Sequence, residues 1–136
     1  MKINDRLKTI GDLVSANSFC LDVGCDHAFL CIYLVKKNKN IKLLIVGDGP
    51  DLDEYRTLAK KQRIQDKVIF TGKVPWEDIP IYYALSDIFV TASHTETQGL
   101  TVIEAMAASL PVVAVNDESF NTVIVDGLNG HLFETK

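Results

Sequence analysis

The stretch "DIFVTASHTETQGLTVIEAMAASLPVVAV", residues 87–115, contains two apolar runs separated by a helical pattern. The runs "IFVTA" and "LPVVAV" are strongly apolar and predict strands at 87–93 and 110–115, and residues 100–109 read as an apolar helix between them. Strands of this kind, joined through a helix, are typical of a parallel sheet that is covered on both faces. The stretch therefore predicts one strand–helix–strand unit.

The same alternation continues on both sides of this unit. Further strands are predicted at 18–23, 41–46 and 66–72, with a last short strand in "GLNGHLFE" after a polar loop. Helices are predicted at 3–14, 27–37, 51–62 and 79–86. Residues 1–136 are therefore expected to form one α/β domain. It should be a single doubly wound, Rossmann-like domain with about six mostly parallel strands and helices on both faces.

Length and charge limit the classes of function. With 136 residues the chain is long enough for one compact domain, and 47% hydrophobic residues can fill its core. The net charge of -4, from 14 basic and 18 acidic residues, argues against nucleic acid or an anionic membrane as the main partner. No apolar stretch is long enough to span a membrane. The oligomeric state stays open.

The cysteines predict reduced thiols. Cys20, Cys25 and Cys31 are odd in number and lack C-x-x-C spacing, which argues against a disulfide framework and against a zinc site. No metal site is expected. The N-terminal residues lack the apolar core of a secretory signal, so the predicted location is cytoplasmic.

A ligand site is predicted around the loop that precedes the helix at 100–109. In a doubly wound sheet the ligand lies at the carboxyl ends of the strands, near the switch in strand order. Gly99 and its neighbours would offer backbone N–H groups to a phosphate. Glu96 in the loop and Glu104 in the first turn or so of the helix could accept hydrogen bonds from sugar or ribose hydroxyls. Alternatively, the helix dipole alone favours Glu104 and Glu96 is a solvated loop residue.

Four stretches in chain order carry a family resemblance: "KLLIVGDGPDLDEYRTLAKK", "DKVIFTGKVP", "IPIYYALSDIFVTASHTETQGLTVIEAMAASLPVVAV" and "VDGLNGHLF". They resemble the C-terminal, donor-binding half of retaining glycosyltransferases of the two-Rossmann-domain (GT-B) architecture, over residues 41–136. The Glu-x7-Glu pair, Glu96 to Glu104, matches the donor motif of that family.

The resemblance implies a nucleoside-diphosphate sugar as ligand and no required cofactor. It implies that Glu96 contacts the donor sugar and that Glu104 holds the ribose diol. It implies that the backbone amides of Gly99 and Leu100 bind the diphosphate. The backbone near Val74 would meet the base, and Asp48 and Gly49 would line the neighbouring loop. The "GDGP" run that contains Asp48 and Gly49 is equally explained as a strand-to-helix turn.

The first 40 residues depart from this family. At the equivalent strand the family has a glycine-arginine turn followed by a lysine, whereas this chain reads "SFCLDVGCDHAFLCIYLVKKN". That segment, 1–40, resembles the start of bacterial tRNA adenine-N1 methyltransferases, in which Asp22, Gly24 and Asp26 would belong to the S-adenosylmethionine loop. The two resemblances together imply a recombinant or designed chimera with a seam near residues 36–41.

The chimera would keep a partial nucleotide-sugar site but not turn over alone, because the acceptor domain and the arginine–lysine pair are missing. The alternatives are an S-adenosylmethionine-binding, methyltransferase-like module and a folded chimera without a ligand.

Other side chains are candidates for secondary roles. His27 is expected to be structural, His94 could touch the ligand, and His131 is expected to be solvated. Trp76 is expected to be a packing or lid residue, with base stacking as the alternative, and Lys73 is the cation nearest the diphosphate.

Overall fold

The computed structural model describes residues 14–23, 32, 35, 36, 40–91, 93 and 99–133. Within these ranges it contains a six-stranded sheet with the order β3-β2-β1-β4-β5-β6, and all five neighbouring pairs are parallel. The strands are β1 (Phe19–Val23), β2 (Lys42–Val46), β3 (Val68–Phe70), β4 (Ile88–Thr91), β5 (Val112–Val115) and β6 (His131–Phe133). The doubly wound α/β fold and its six strands are confirmed.

The described helices are α1 (Leu52–Lys61), α2 (Ile79–Ala84), α3 (Leu100–Ala107) and α4 (Glu118–Asn121), and a 3-10 turn (Trp76–Asp78) leads into α2. Residues 32, 35 and 36 are helical, as the 27–37 prediction requires, and Ile32 and Val35 are buried. The predicted helix at 3–14 lies almost entirely outside the described residues.

One helix is absent from the sequence-based prediction. The sequence predicts a polar loop after β5, but this run contains α4. The Asp117 carboxylate caps the helix by accepting a hydrogen bond from the Ser119 backbone N–H at 3.0 Å. The single aromatic residue of α4, Phe120, is fully buried. The helix therefore forms because one cap and one buried ring suffice for four residues.

The central strands are apolar because both of their faces are covered. All four residues of β4 and of β5 are buried, and so are the last four residues of β2. The edge strands β3 and β6 have one buried residue each. This gradient explains why the sequence reads as continuous apolar runs without the alternation of a half-solvated sheet.

The switch in strand order lies between β1 and β4. From β1 the chain moves outward to β2 and β3, and α2 then returns it to β4 on the other side of β1. The crossovers that leave β1 and β4 therefore run in opposite directions. Their carboxyl ends form the crevice in which ligands of such sheets bind.

We expect the chain to unfold in one transition. Strand β1 hydrogen-bonds to β2 along all five of its residues and to β4 on its other edge, so residues 41–136 without β1 would expose two unpaired edges in the centre of the sheet. Thermal unfolding followed by Trp76 fluorescence and by far-UV circular dichroism should give the same midpoint. Separate transitions for residues 1–40 and 41–136 would contradict this.

Gly99 holds the start of α3 against α4. Its φ of +59° lies in the left-handed region, and a Cβ placed there would lie 3.1 Å from Phe120 Cδ1 and 3.2 Å from the Ser119 carbonyl oxygen. Gly127 has a similar φ of +76°, but a Cβ added there would meet no heavy atom within 4 Å. The two glycines thus share the backbone requirement and differ in the space around them.

Gly99→Ala should destabilise the fold more than Gly127→Ala. The left-handed conformation costs an alanine about 1–2 kcal/mol at either position. Only at position 99 must Phe120 and the backbone of Ser119 also shift, which typically adds about 1–3 kcal/mol. Urea unfolding of both variants measures the difference. Equal losses of stability would mean that the packing of Gly99 against α4 contributes nothing.

Cys20 is a free thiol buried in β1, in agreement with the prediction of reduced core cysteines; Cys25 and Cys31 lie outside the described residues. Burial raises the pKa of the Cys20 thiol to about 12, and the nearby charge of Asp87 adds to the shift. Only the thiolate reacts with alkylating reagents. The folded protein should therefore leave Cys20 unlabelled by iodoacetamide at pH 9, whereas protein unfolded in urea should be labelled. Peptide mass spectrometry distinguishes the two, and equal labelling rates would show that the thiol is accessible.

Candidate functional site

The start of α3 presents backbone N–H groups at the carboxyl edge of the sheet. Gly99 is the N-terminal cap, and its carbonyl accepts the N–H groups of Val102 and Ile103, each at 3.1 Å. The N–H groups at the start of any helix have no partner within the helix. Those of Leu100 and Thr101 have no acceptor among the residues that the structure describes. This end of α3 can therefore receive an anion.

Glu104 lies just beyond the first turn of α3. It is the fifth residue of α3, and the first turn of the helix contains no acidic residue. The favourable effect of the helix dipole on a carboxylate is confined to that first turn. The dipole therefore does not explain this glutamate.

A tyrosine from the neighbouring helix holds the Glu104 carboxylate. The Tyr83 hydroxyl lies 2.9 Å from Glu104 Oε2 and 3.1 Å from the Thr101 carbonyl oxygen. Tyr83 is only 2% exposed, and its ring packs at a tilt against Phe89, with ring centroids 6.0 Å apart. An exposed carboxylate is thus tied to a side chain that is itself fixed in the core.

Glu104 and Tyr83 line a cleft of about 580 Å³ between α2 and α3. Trp76 stands on the same cleft and is 79% exposed, so it is not a packing residue of the core. The remaining lining is mostly apolar: Ile79, Pro80, Ala107 and Ala108, with Glu77 as a second carboxylate. The loop that follows β3 therefore reaches α3, although β3 lies three strands away from β4.

The other predicted contacts are distributed along the carboxyl edge. The ends of β2 and β3 are joined by a bridge in which the Gly47 N–H donates to the Gly72 carbonyl at 3.1 Å. Val74 follows two residues later, half-buried, and precedes Trp76 in the loop that reaches the cleft. The carbonyl of Gly49 accepts the Leu52 N–H at 3.1 Å, as expected for a strand-to-helix turn. Asp48 and Gly49 are not among the residues that line the cleft.

Several predicted residues cannot be placed. Glu96 and His94 lie outside the described residues, as do Gly24, Asp26 and His27. Of the S-adenosylmethionine loop predicted from the methyltransferase resemblance, only Asp22 is described, as a buried residue of β1. The roles of these residues remain predictions.

Two further predicted residues lie on the surface. Lys73 is exposed in the loop after β3. His131 is half-exposed and lies 3.4 Å from the carboxylate of Asp126, measured from Nδ1 to Oδ1. The Leu132 backbone N–H donates to the same carboxylate at 2.9 Å and, with a smaller effect of His131, holds the pKa of Asp126 below its usual range. His131 is the first residue of β6 and does not line the cleft beside Glu104.

The described part of the chain shows neither a grouped metal site nor a membrane span. Among these residues no three histidine, cysteine, aspartate or glutamate side chains are grouped as metal ligands would be. Within the same ranges no helix combines the length and the apolar composition that a bilayer crossing requires.

Tyr83 is a site residue that sequence reasoning missed. The run "IPIYYALS" predicts a short helix, and it contains two adjacent tyrosines. A tyrosine on the buried face of a helix requires a hydrogen-bond partner for its hydroxyl, which is a usable signal. Choosing between Tyr82 and Tyr83 requires knowledge of which face of α2 packs against the sheet.

Comparison with known proteins gives one family. The family model "Glycosyl transferases group 1" matches residues 12–136. The alpha-monoglucosyldiacylglycerol synthase of Streptococcus pneumoniae is 39% identical over 100 residues, which is 74% of this chain and 23% of that protein. The protein with the same name from Acholeplasma laidlawii is 37% identical over 126 residues, 93% of this chain and 28% of that one. The chain thus spans about a quarter of the length of these relatives.

Solved structures share the fold. HepE from Anabaena, solved in complex with UDP and glucose, superposes with a TM-score of 0.74 at 24% identity, over 97% of this chain and 39% of that chain. The pneumococcal O-GlcNAc transferase GtfA, solved with UDP and GlcNAc, gives a TM-score of 0.75 at 23% identity, over 87% of this chain and 24% of that one. Because the family model covers nearly the whole sequence, the chain belongs to the group 1 glycosyl transferases.

Proposed function

We propose that this chain is the donor-binding part of a retaining glycosyltransferase and that its ligand is a nucleoside-diphosphate sugar. The observation that carries the proposal is the pairing of two features on α3. An anion-accepting helix start at Gly99 lies one turn away from a carboxylate at Glu104, which Tyr83 holds in place. Both features belong to the helix that follows β4 at the switch in strand order.

These two features suit different parts of one ligand. A carboxylate only accepts hydrogen bonds, and a ribose diol donates two from neighbouring oxygens. Hydrogen bonds to a charged acceptor are about twice as strong as neutral ones. A diphosphate is repelled by a carboxylate and attracted by backbone N–H groups. We therefore assign the ribose to Glu104 and the diphosphate to the N–H groups of Gly99 and Leu100.

The remaining contacts follow from the resemblance. Glu96 would accept hydrogen bonds from the donor sugar, and the backbone at Val74 would meet the base. Asp48 and Gly49 would line the neighbouring loop. In the transfer step the bond between the sugar and the diphosphate breaks, and the negative charge that grows on the leaving diphosphate is met by fixed N–H donors.

We propose uridine diphosphate as the nucleotide of first choice. The support is that HepE and GtfA, which share this fold, were both solved with UDP. We further propose that the 136 residues bind the donor without turning it over. The relatives are more than three times as long, and residues 24–35 contain no arginine or lysine to neutralise the diphosphate.

The chimeric origin and the methyltransferase ancestry of residues 1–40 stay predictions, as does the cytoplasmic location. The match of the group 1 family model from residue 12 onward favours a glycosyltransferase interpretation for most of that segment as well. S-adenosylmethionine is the second candidate ligand. Binding of S-adenosylmethionine without binding of any nucleoside diphosphate would reverse the order of the two candidate ligands. A thermal-shift panel of UDP, GDP, their sugars and S-adenosylmethionine tests this choice, because a ligand of the folded state raises the melting temperature.

Glu104→Gln should weaken UDP binding roughly ten- to a hundredfold, because the loss of hydrogen bonds to a charged acceptor is typically about 1.5–3 kcal/mol. Glutamine keeps an acceptor oxygen for Tyr83, so the melting temperature should change little. Glu77→Gln is the matched control, since Glu77 lines the same cleft. It should leave the affinity unchanged in titration calorimetry.

Glu96→Ala should spare UDP and weaken only the UDP-sugar. This asymmetry separates a donor site from two incidental surface acids. If both glutamate variants bind UDP and UDP-sugar as the parent chain does, the carboxylates touch no ligand and the proposed function is wrong.

A further inference from the structure

We infer that Tyr83 is a positioning residue for ligand recognition: its hydroxyl fixes the Glu104 carboxylate in the orientation that accepts ribose hydroxyls. This inference rests on the proposed function, because it assumes that Glu104 binds ribose. Tyr83 belongs to α2, whereas the Glu-x7-Glu motif spans residues 96–104, so the inference adds a residue from a different part of the chain.

The hydroxyl has one proton, and two oxygen atoms of described residues on α3 lie within hydrogen-bond distance of it. The Thr101 carbonyl at 3.1 Å lies within α3, where the N–H four residues later is the regular partner of each carbonyl. The Glu104 oxygen at 2.9 Å is closer and charged, and a charged acceptor makes the stronger bond. The proton therefore points to Glu104, and the Thr101 contact is not needed to satisfy that carbonyl.

The bond matters because, among the described residues, Tyr83 alone makes a hydrogen bond to the Glu104 side chain. Its side chain is on the exposed face of α3, and an unrestrained glutamate samples many rotamers that binding would have to select. The Tyr83 side chain is only 2% exposed and its ring packs against Phe89, so the position of its hydroxyl is fixed. The bond occupies one side of Oε2, and Oε1 has no partner among the described residues. That oxygen is available for a ligand hydroxyl.

A purely structural role makes a different prediction. A buried tyrosine needs an acceptor for its hydroxyl, and Thr101 alone could provide it. Removal of the hydroxyl would then change stability without changing how the protein distinguishes ligands with and without ribose hydroxyls. The discriminating quantity is the ratio of affinities for UDP and for 2′,3′-dideoxyuridine 5′-diphosphate.

The experiment compares Tyr83→Phe with the parent chain of 136 residues. Tyr83→Phe should weaken UDP about two- to tenfold, the range of one net hydrogen bond, and leave the dideoxy analogue unchanged. Tyr82→Phe is the matched control, since Tyr82 is the adjacent residue and its hydroxyl has no partner among the described residues; both affinities should stay as in the parent. Side-chain NMR of Glu104 without ligand should show one dominant rotamer in the parent and averaging in Tyr83→Phe.

The outcomes separate the two proposals. Equal weakening of both nucleotides, or an unchanged Glu104 rotamer distribution, overturns the role of Tyr83. If Tyr83→Phe binds UDP as the parent chain does and Glu104→Gln binds UDP more weakly, the role of Tyr83 is overturned and the proposed function is kept. A parent chain that binds neither nucleotide, or a Glu104→Gln variant that binds UDP normally, overturns both.

Discussion

Backbone hydrogen bonding along both edges of β1 is the constraint on which the architecture depends. The strand pairs with β2 from Phe19 to Val23 and with β4 on its other edge, so it joins the two halves of a doubly wound sheet. With β1 in place, β4 lies beside the switch in strand order, and α3, which follows β4, begins at the carboxyl edge of the sheet. The site on α3 is therefore a product of how the central strands are ordered.

The strands and the fold class were predictable because a strand that is buried on both faces has a continuously apolar sequence. Runs such as "LPVVAV" are continuously apolar only where helices cover both sides of a strand. Helix α4 was not predictable in the same way. It has four residues in a polar run, and its formation depends on the burial of Phe120, which is a tertiary contact.

The candidate site was predictable in its parts and not in its assembly. A glycine before an apolar helix and a glutamate within that helix pointed to Gly99 and Glu104. The sequence predicts Glu104 in the first turn or so of a helix that starts at residue 100, and in the structure it is the fifth residue of α3, just beyond the first turn. The contact from Tyr83 joins residues 21 positions apart, so it appears only once α2 packs beside α3.

The packing of Gly99 against α4 has a consequence for motion. The N–H groups proposed to receive a diphosphate belong to a helix start that packs tightly against α4, since a methyl group on the Cα of Gly99 would lie only 3.1 Å from Phe120 Cδ1 and 3.2 Å from the Ser119 carbonyl oxygen. Close-packed elements of this kind transmit strain to one another. A displacement of the start of α3 would therefore press on α4, which precedes the polypeptide that leads into β6 at the far edge of the sheet.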